Sequence, residues 1–229
     1  MTIAELRSRP LVFVDDLDDP VLNQDDHHHL TRALRIRPGD PIVVSDGNGR
    51  WRNAVLSSEP HPGEVGDIQT AEAVPAVKTI GFALVKGDRS DFAIQKLTEL
   101  GIGRIIPMMT ERSVVRWDRK RADKNLVRHR RIGREAAMQS RNVWLPEIWP
   151  ATPLPQVFDR FPEAALAEPG ASMLGSNTDG PAIREVLIGP EGGFSPSELT
   201  NRRVVGLPGN VLRTETAAIT AAVLLVLTA

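Results

Sequence analysis

The chain has 229 residues, 41% of them hydrophobic and 25% charged, with 28 Lys/Arg against 29 Asp/Glu, a formal net charge of −1 and no Cys. The length fits one large or two small domains of ordinary globular composition, and the lack of Cys excludes a disulfide framework, a thiolate metal site and a cysteine nucleophile. The charge balance excludes a global field that gathers nucleic acid, so any such attraction has to be local. With no apolar run near about 18 residues and no apolar core in the first ten residues, the chain is expected to be cytoplasmic, with no membrane partner.

Residues 1–72 read as a β-rich domain. Leu11–Val14 is a short strand, ended by Asp15, Asp16, Asp18 and Asp19. Asp25 or Asp26 can cap a short helix over His27–Leu34, which places Leu30 and Leu34 on one face at i,i+4. Pro38-Gly39-Asp40 is a turn, Pro41–Ser45 a strand, Asp46-Gly47-Asn48-Gly49 a hairpin turn and Trp51–Ser57 the return strand. The pattern suggests a small barrel. Consecutive helical residues point about 100° apart, so His27, His28 and His29 cannot share one ion and no metal is expected. Arg32 and Arg35, with Arg37, Arg50 and Arg52, form either a phosphate-contacting patch or an ordinary solvated set.

Glu72-Ala73-Val74-Pro75-Ala76 reads as the linker to a second domain over residues 73–229. Ile80–Val85 is a buried strand and Lys86-Gly87-Asp88 a turn. A helix then runs from Ser90 or Asp91 to Leu100, with Ala93, Leu97 and Leu100 on the buried face and Gly101 as its stop. Ile102–Met108 returns as a strand, which makes a βαβ unit and implies a parallel sheet. Phe92 and Met108-Met109 are expected in the core. Residues 112–141 carry eleven Lys/Arg, including Arg112, Arg116, Arg128, Arg131, Arg134 and Arg141, against three carboxylates, Asp118, Asp123 and Glu135. A charge run usually marks a solvated helix face, but an excess this lopsided points to a polyanion partner.

Trp144, Trp149 and the prolines through Pro155 read as an extended connection, Ala164–Ala167 as a short strand and residues 171–182 as a polar loop. Val186-Leu187-Ile188 is an apolar run stopped by Gly189-Pro190. Gly192 and Gly193 allow close backbone approach or positive φ. Ser195 is a candidate N-cap, with Pro196 at the first helical position and Glu198 three residues after the cap. A strand over Val204–Leu207 follows, then Arg213-Thr214-Glu215-Thr216 and a last apolar helix from about Ala217 to Leu227. Glycine- and threonine-rich loops at strand C-termini are where open α/β sheets bind ligands.

The stretches Ile188–Phe194 and Leu212–Ala217 resemble the cofactor loops of the SPOUT methyltransferases, specifically the RsmE-type 16S rRNA (uracil-N3) methyltransferases. The resemblance extends, in order, to Lys86-Gly87-Asp88-Arg89, Gln95–Gly101, Pro107–Ser113 and Gln139-Ser140-Arg141, and so covers nearly the whole chain. It implies an α/β fold, with a PUA-like RNA-binding barrel over 1–72 followed by a SPOUT methyltransferase domain with a parallel sheet and a C-terminal trefoil knot over 73–229. It also implies a homodimer, with S-adenosylmethionine as cofactor and N3 of a uridine in 16S rRNA of the small ribosomal subunit as target. Implied cofactor contacts come from Leu166, Ala167, Gly189, Glu191, Gly193, Leu207, Val211, Leu212 and Thr216. Gln139, Ser140 and Arg141 become candidates for holding RNA. Arg213 is expected to orient and stabilise charge and Glu215 to act as base, although a salt bridge between the two explains Glu215 equally well. Met138 and Asn210 stand where the family pattern has Glu and Arg. The alternatives are a non-catalytic RNA-binding or ribosome-assembly protein, and a knotted methyltransferase acting on a ribose 2′-OH.

Overall fold

The computed structural model describes residues 6, 8–71, 77–176 and 181–227; the expected linker, Glu72–Ala76, lies outside the described residues. Two compact units form. One comprises Met1–Pro75 with Arg134–Leu145, and the other Ala76–Gly133 with Pro146–Ala229.

In the first unit, β1 (Leu11–Phe13), β2 (Pro41–Ser45), β3 (Arg50–Val55) and β4 (Gly63–Val65) lie side by side in that order, and β5 (Gln69–Thr70) pairs with β3. The β2–β3 hairpin turns where expected, because Gly47 and Gly49 supply φ of +74° and +84°. Asp46 locks the turn by accepting from the Asn48 N–H at 2.8 Å and from Arg50 Nε at 2.8 Å. The core holds Leu11, Val12, Phe13, Ile42, Val43, Val44 and Trp51, joined by Ala137, Met138 and Val143 from far along the chain.

The helix expected over His27–Leu34 starts earlier, as α1 (Gln24–His28), and continues into a π-helical turn over His29–Ala33. Its cap is Asn23, whose side chain accepts from the Asp26 N–H, rather than Asp25 or Asp26. Asp26 has another partner. Its two carboxylate oxygens accept from Arg134 Nη1 at 2.8 Å and Nη2 at 2.5 Å, and Nη2 also donates to the Phe13 carbonyl at 3.0 Å.

The second unit is built on a parallel sheet in the order β12 (Val204–Val205), β10 (Ala165–Ala167), β11 (Glu185–Ile188), β6 (Thr79–Ala83), β7 (Arg104–Met109), β8 (Glu147–Ile148), with β9 (Thr152–Pro153) also beside β7. Side chains alternate between the faces of a strand. Ile80, Phe82, Ile105, Val186 and Ile188 therefore pack in one cluster, with Ala93 and Leu97 of α2 (Arg89–Glu99) and Ala218, Ala221 and Ala222 of α6 (Thr214–Leu227). Ile106, Met108, Leu166 and Leu187 pack in another, with Val157 and Phe158 of α4 (Leu154–Arg160). The remaining helices are α3 (Arg119–Ser140), whose last residues belong to the first unit, and the short α5 (Pro196–Leu199).

Three expectations change. The extended connection ends in a helix at Leu154, because Pro155 sits in the first turn, where its missing N–H costs no helical bond. Phe92 is 47% exposed with Lys96 Nζ 5.8 Å from its ring centre, not in the core. The last helix begins at Thr214, three residues before Ala217. No helix among the described residues is long and apolar enough to cross a membrane.

Asp26 is largely buried, so removing its partner strands a carboxylate. Arg134→Ala is expected to lower the unfolding free energy by about 3 kcal/mol in a urea titration; a loss below about 1 kcal/mol would show that the pair does not anchor the first unit.

Candidate active site

β10 lies between β11 and β12, all three parallel, and Ala167 is in register with both Ile188 and Val205. The chain therefore leaves all three strands at one edge of the sheet, at Ala167, Gly189 and Gly206-Leu207. The loop after β10 closes onto the end of β12. The Gly206 N–H donates to the Ser172 carbonyl at 2.7 Å and the Leu174 N–H to the Gly206 carbonyl at 2.9 Å. A Cβ at Gly206 would stand 2.2 Å from the Ala171 carbonyl oxygen, so only glycine permits this approach. After β11, Gly193 (φ +68°) donates its N–H to the Pro190 carbonyl at 2.8 Å. Ser195 then caps α5 in the expected capping box with Glu198. The third loop delivers α6, whose Thr214 hydroxyl donates to the Gly189 carbonyl at 3.1 Å.

The charged groups converge at the same edge. Arg89 opens α2 just beyond β6. Its Nη1 donates to Glu191 Oε1 at 3.0 Å and lies 3.5 Å from Glu215 Oε2. Glu215 is 8% exposed, and its Oε2 is buried and accepts no hydrogen bond. Arg213 is exposed and makes no side-chain hydrogen bond or ion pair among the described residues. The alternative, a Glu215–Arg213 salt bridge, is absent among the described residues, because residues two apart at a helix start do not face each other. Arg89 takes that place instead. Glu111, just past β7, accepts the Ser197 hydroxyl at 3.0 Å, and hydroxyls of Ser195 and Ser197 hold its carboxyl below the usual range.

Residues 72–226 match the RNA methyltransferase domain family and residues 22–65 the RNA methyltransferase PUA domain family. The ribosomal RNA small subunit methyltransferase E of Mycobacterium bovis is 33% identical over 91% of this chain and 87% of its own. The Bacillus subtilis protein of the same name is 31% identical over 83% of this chain and 82% of its own. The chain belongs to the ribosomal RNA small subunit methyltransferase E family. The Neisseria gonorrhoeae family member crystallised with S-adenosyl methionine superposes with a TM-score of 0.78 at 29% identity, over 93% of this chain and 95% of that one. A Legionella pneumophila methyltransferase in complex with the same cofactor gives 0.81 at 26%, over 95% and 96%.

The residues carried over from the family do not all stand in equivalent settings. Ala167, Gly189, Glu191, Gly193, Leu207, Val211 and Leu212 lie on the three loops, with Thr216 in the first turn of α6. The Leu166 side chain is fully buried in the sheet, which leaves only its backbone for a ligand. Among the described residues, the main-chain N–H groups of Leu207, Val211 and Leu212 donate to no protein acceptor. Val211 is 86% exposed and Met173, on the facing loop, 43%. Unpaired N–H donors beside exposed apolar side chains suit a ligand with a heteroaromatic ring, and these residues fit an adenosyl group.

Of the expected RNA contacts, Arg32, Arg35 and Gln139 are exposed in the first unit, and Arg116, Arg128 and Arg131 in the second. Arg128 is ion-paired with Asp91. Arg112 Nη1 donates to the carbonyls of Gly192 at 2.9 Å and Phe194 at 3.1 Å, so it braces the β11 loop. Two more of these arginines have partners in the fold. Arg134 has its guanidinium engaged by Asp26 and Phe13. Arg141, at φ +60°, turns back to cap α3, with Nη1 donating to the Met138 carbonyl at 2.6 Å. Both serve the fold. Met138, the departure from Glu, is buried, with its sulfur 3.2 Å from Arg134 Nη1. Arg89 is the site residue that sequence reasoning passed over. Its signal was the place of Lys86-Gly87-Asp88-Arg89, directly after a buried strand of the sheet.

Arg89→Met is expected to cost about 2 kcal/mol of stability, because Glu215 then stays buried without its cation. Adding Glu215→Gln should restore most of that loss. Equal, additive effects of the two changes in a double-mutant cycle would mean that the pair is not coupled.

Proposed function

We propose that this protein is an S-adenosylmethionine-dependent methyltransferase that methylates N3 of a specific uridine in the 16S rRNA of the small ribosomal subunit. Family membership supports the reaction and the RNA. The observation that carries the site assignment is the buried Glu215 carboxylate, paired with Arg89 at the edge where the three strand-end loops meet, with the exposed Arg213 two residues before it in the chain.

S-adenosylmethionine, when bound, supplies a methyl carbon made electrophilic by its sulfonium. Backbone groups of Ala167, Gly189, Gly193, Leu207, Val211 and Leu212 would hold its adenosyl part, and Gly206 lets the β10 loop close against the end of β12. Uracil N3–H is weakly acidic, and the nitrogen attacks only as it loses its proton. The Glu215 carboxylate accepts that proton, directly or through one water. The Arg213 guanidinium stabilises the negative charge that spreads onto the uracil O2 and O4. Glu191 and Arg89 fix the loop and the carboxylate, so that little reorganisation is needed at the moment of reaction.

The domain division at residues 72/73, the trefoil knot, a cytoplasmic location and a homodimer complete this reading. For the dimer, α6 offers apolar surface at Val223, Val226 and Leu227, which are 38%, 40% and 75% exposed. The proposed RNA contacts are Arg32, Arg35, Arg116, Arg128, Arg131 and Gln139, with Arg112, Arg134 and Arg141 reaching RNA only through the groups that their own partners leave free.

The test is transfer of labelled methyl from S-adenosylmethionine to small subunits that lack the modification, with the product nucleoside identified. N3-methyluridine is the expected product, and any other methylated nucleoside overturns the target assignment. Arg213→Ala is expected to slow transfer on the order of 100-fold or more with the thermal midpoint unchanged; near-wild-type rates would remove Arg213 from the site.

A further inference from the structure

Two clefts adjoin along the C-terminal end of β6. The smaller, about 220 Å³, is lined by Arg89 and Glu191 and so opens onto the carboxylate cluster. The larger, about 500 Å³, shares Val85, Lys86, Val114 and Val115 with it and runs on past Arg116, Trp117, Arg121 and Arg128. Together they make a groove that leads away from the active site within the second unit.

The wall of the larger cleft has a distinctive chemistry. Lys86, Arg116, Arg121 and Arg128 face it, and Asp88 is the one carboxylate among its lining residues. Val114, which lines both clefts, is 77% exposed, so no packing within the described fold accounts for it. Trp117 is half-buried, with its ring 5.9 Å from the buried His129 and the Arg121 guanidinium 5.8 Å from the indole centre. The indole Nε1 is buried and donates to no acceptor. A phenylalanine would pack there without orphaning a donor, so packing alone does not explain the tryptophan.

Cations interleaved with an aromatic face and an exposed aliphatic side chain are the elements with which proteins hold single-stranded nucleic acid. The cations track phosphates and the aromatic stacks a base, whatever its identity. We propose that this groove seats the single-stranded RNA flanking the target uridine. The neighbouring base packs on Trp117 and Val114, and the adjoining phosphates lie on Lys86 and Arg121. Only the identification of RNA as the ligand rests on the methyltransferase reading; the groove itself does not. A strand laid this way enters the smaller cleft at Arg89 and Glu191, which brings the next base to the edge where Glu215 and Arg213 stand.

The test uses the full-length protein and a fluorescein-labelled single-stranded RNA decamer with a central uridine, titrated by anisotropy over a range of salt concentrations. The same sequence as a duplex serves as comparison. Single strand is expected to bind more tightly than duplex. Trp117→Leu should weaken single-strand binding about 10-fold with an unchanged salt slope, and Trp117→Phe should retain most of the affinity. Arg121→Gln should weaken binding and lower the log–log salt slope by about 0.7, one phosphate contact on a single strand. Arg160→Gln, on α4 and outside the groove, controls for general charge. Affinities of Trp117→Leu and Arg121→Gln within about twofold of wild type overturn the proposal, as does an equal loss in Arg160→Gln. Should Trp117→Leu fail to fold, the exposed Arg121 and the Trp117→Phe variant still decide the outcome. Methyl transfer by the wild-type protein, measured in parallel, separates the two claims. Transfer with unaffected decamer binding in the variants overturns the groove alone. The expected binding losses without any transfer support the groove and overturn the reaction.

Discussion

The site depends on one guanidinium shared by two carboxylates. Arg89 comes from the start of α2, Glu191 from the loop after β11 and Glu215 from the first turn of α6, and these segments are far apart in sequence. Glu191 and Glu215 would repel each other without a cation between them, and Glu215 is too buried for water to screen its charge fully. Arg89 answers both, at 3.0 and 3.5 Å. The Thr214 hydroxyl adds a second tie between the same loop and helix, at the Gly189 carbonyl. The edge is thus fixed by side chains that leave the Arg213 guanidinium without a side-chain partner among the described residues.

The parallel sheet makes that convergence possible. Its strand order, β12-β10-β11-β6, places next to one another strands that the chain visits out of sequence. Because all of them run the same way, their C-terminal loops have to share one edge, which is where open α/β sheets take ligands. Close backbone approach at Gly206 then narrows the opening to a cradle. The basic segment that follows β7 lines clefts beside the same edge, so the strand-end loops, the Glu191 carboxylate and a row of cations adjoin one another.

Local chemistry was readable in the sequence wherever a local interaction decides the structure. The β6–α2–β7 unit follows from hydrophobic period and a glycine stop. The hairpin at Asp46–Gly49 and the capping box of Ser195 and Glu198 follow from turn and cap residues. What escaped was set by partners distant in sequence. Asn23 displaced Asp26 as the helix cap because Arg134, more than a hundred residues on, holds Asp26. The return of Arg134–Leu145 to the first unit leaves no local mark, since Ala137 and Val143 read as ordinary helix and loop residues. The partners of Arg134 and Arg141 were not visible either, because charge alone cannot tell a solvated arginine from one held by a buried carboxylate or by helix carbonyls. Arg89 was hidden for the complementary reason: its role exists only once β6 pairs with β11 and α6 packs beside them, which brings the two glutamates to it.

The most direct measurement is the single-turnover rate of methyl transfer to unmodified small subunits for Arg89→Met, Arg89→Lys and Glu215→Gln, with S-adenosylmethionine affinity measured alongside. If the shared guanidinium holds the reacting geometry, Arg89→Met and Glu215→Gln both slow transfer on the order of 100-fold, Arg89→Lys recovers part of the rate, and cofactor affinity changes little. Wild-type rates in Arg89→Met would contradict the account, because the carboxylate would then be placed and used without the cation on which the site is built.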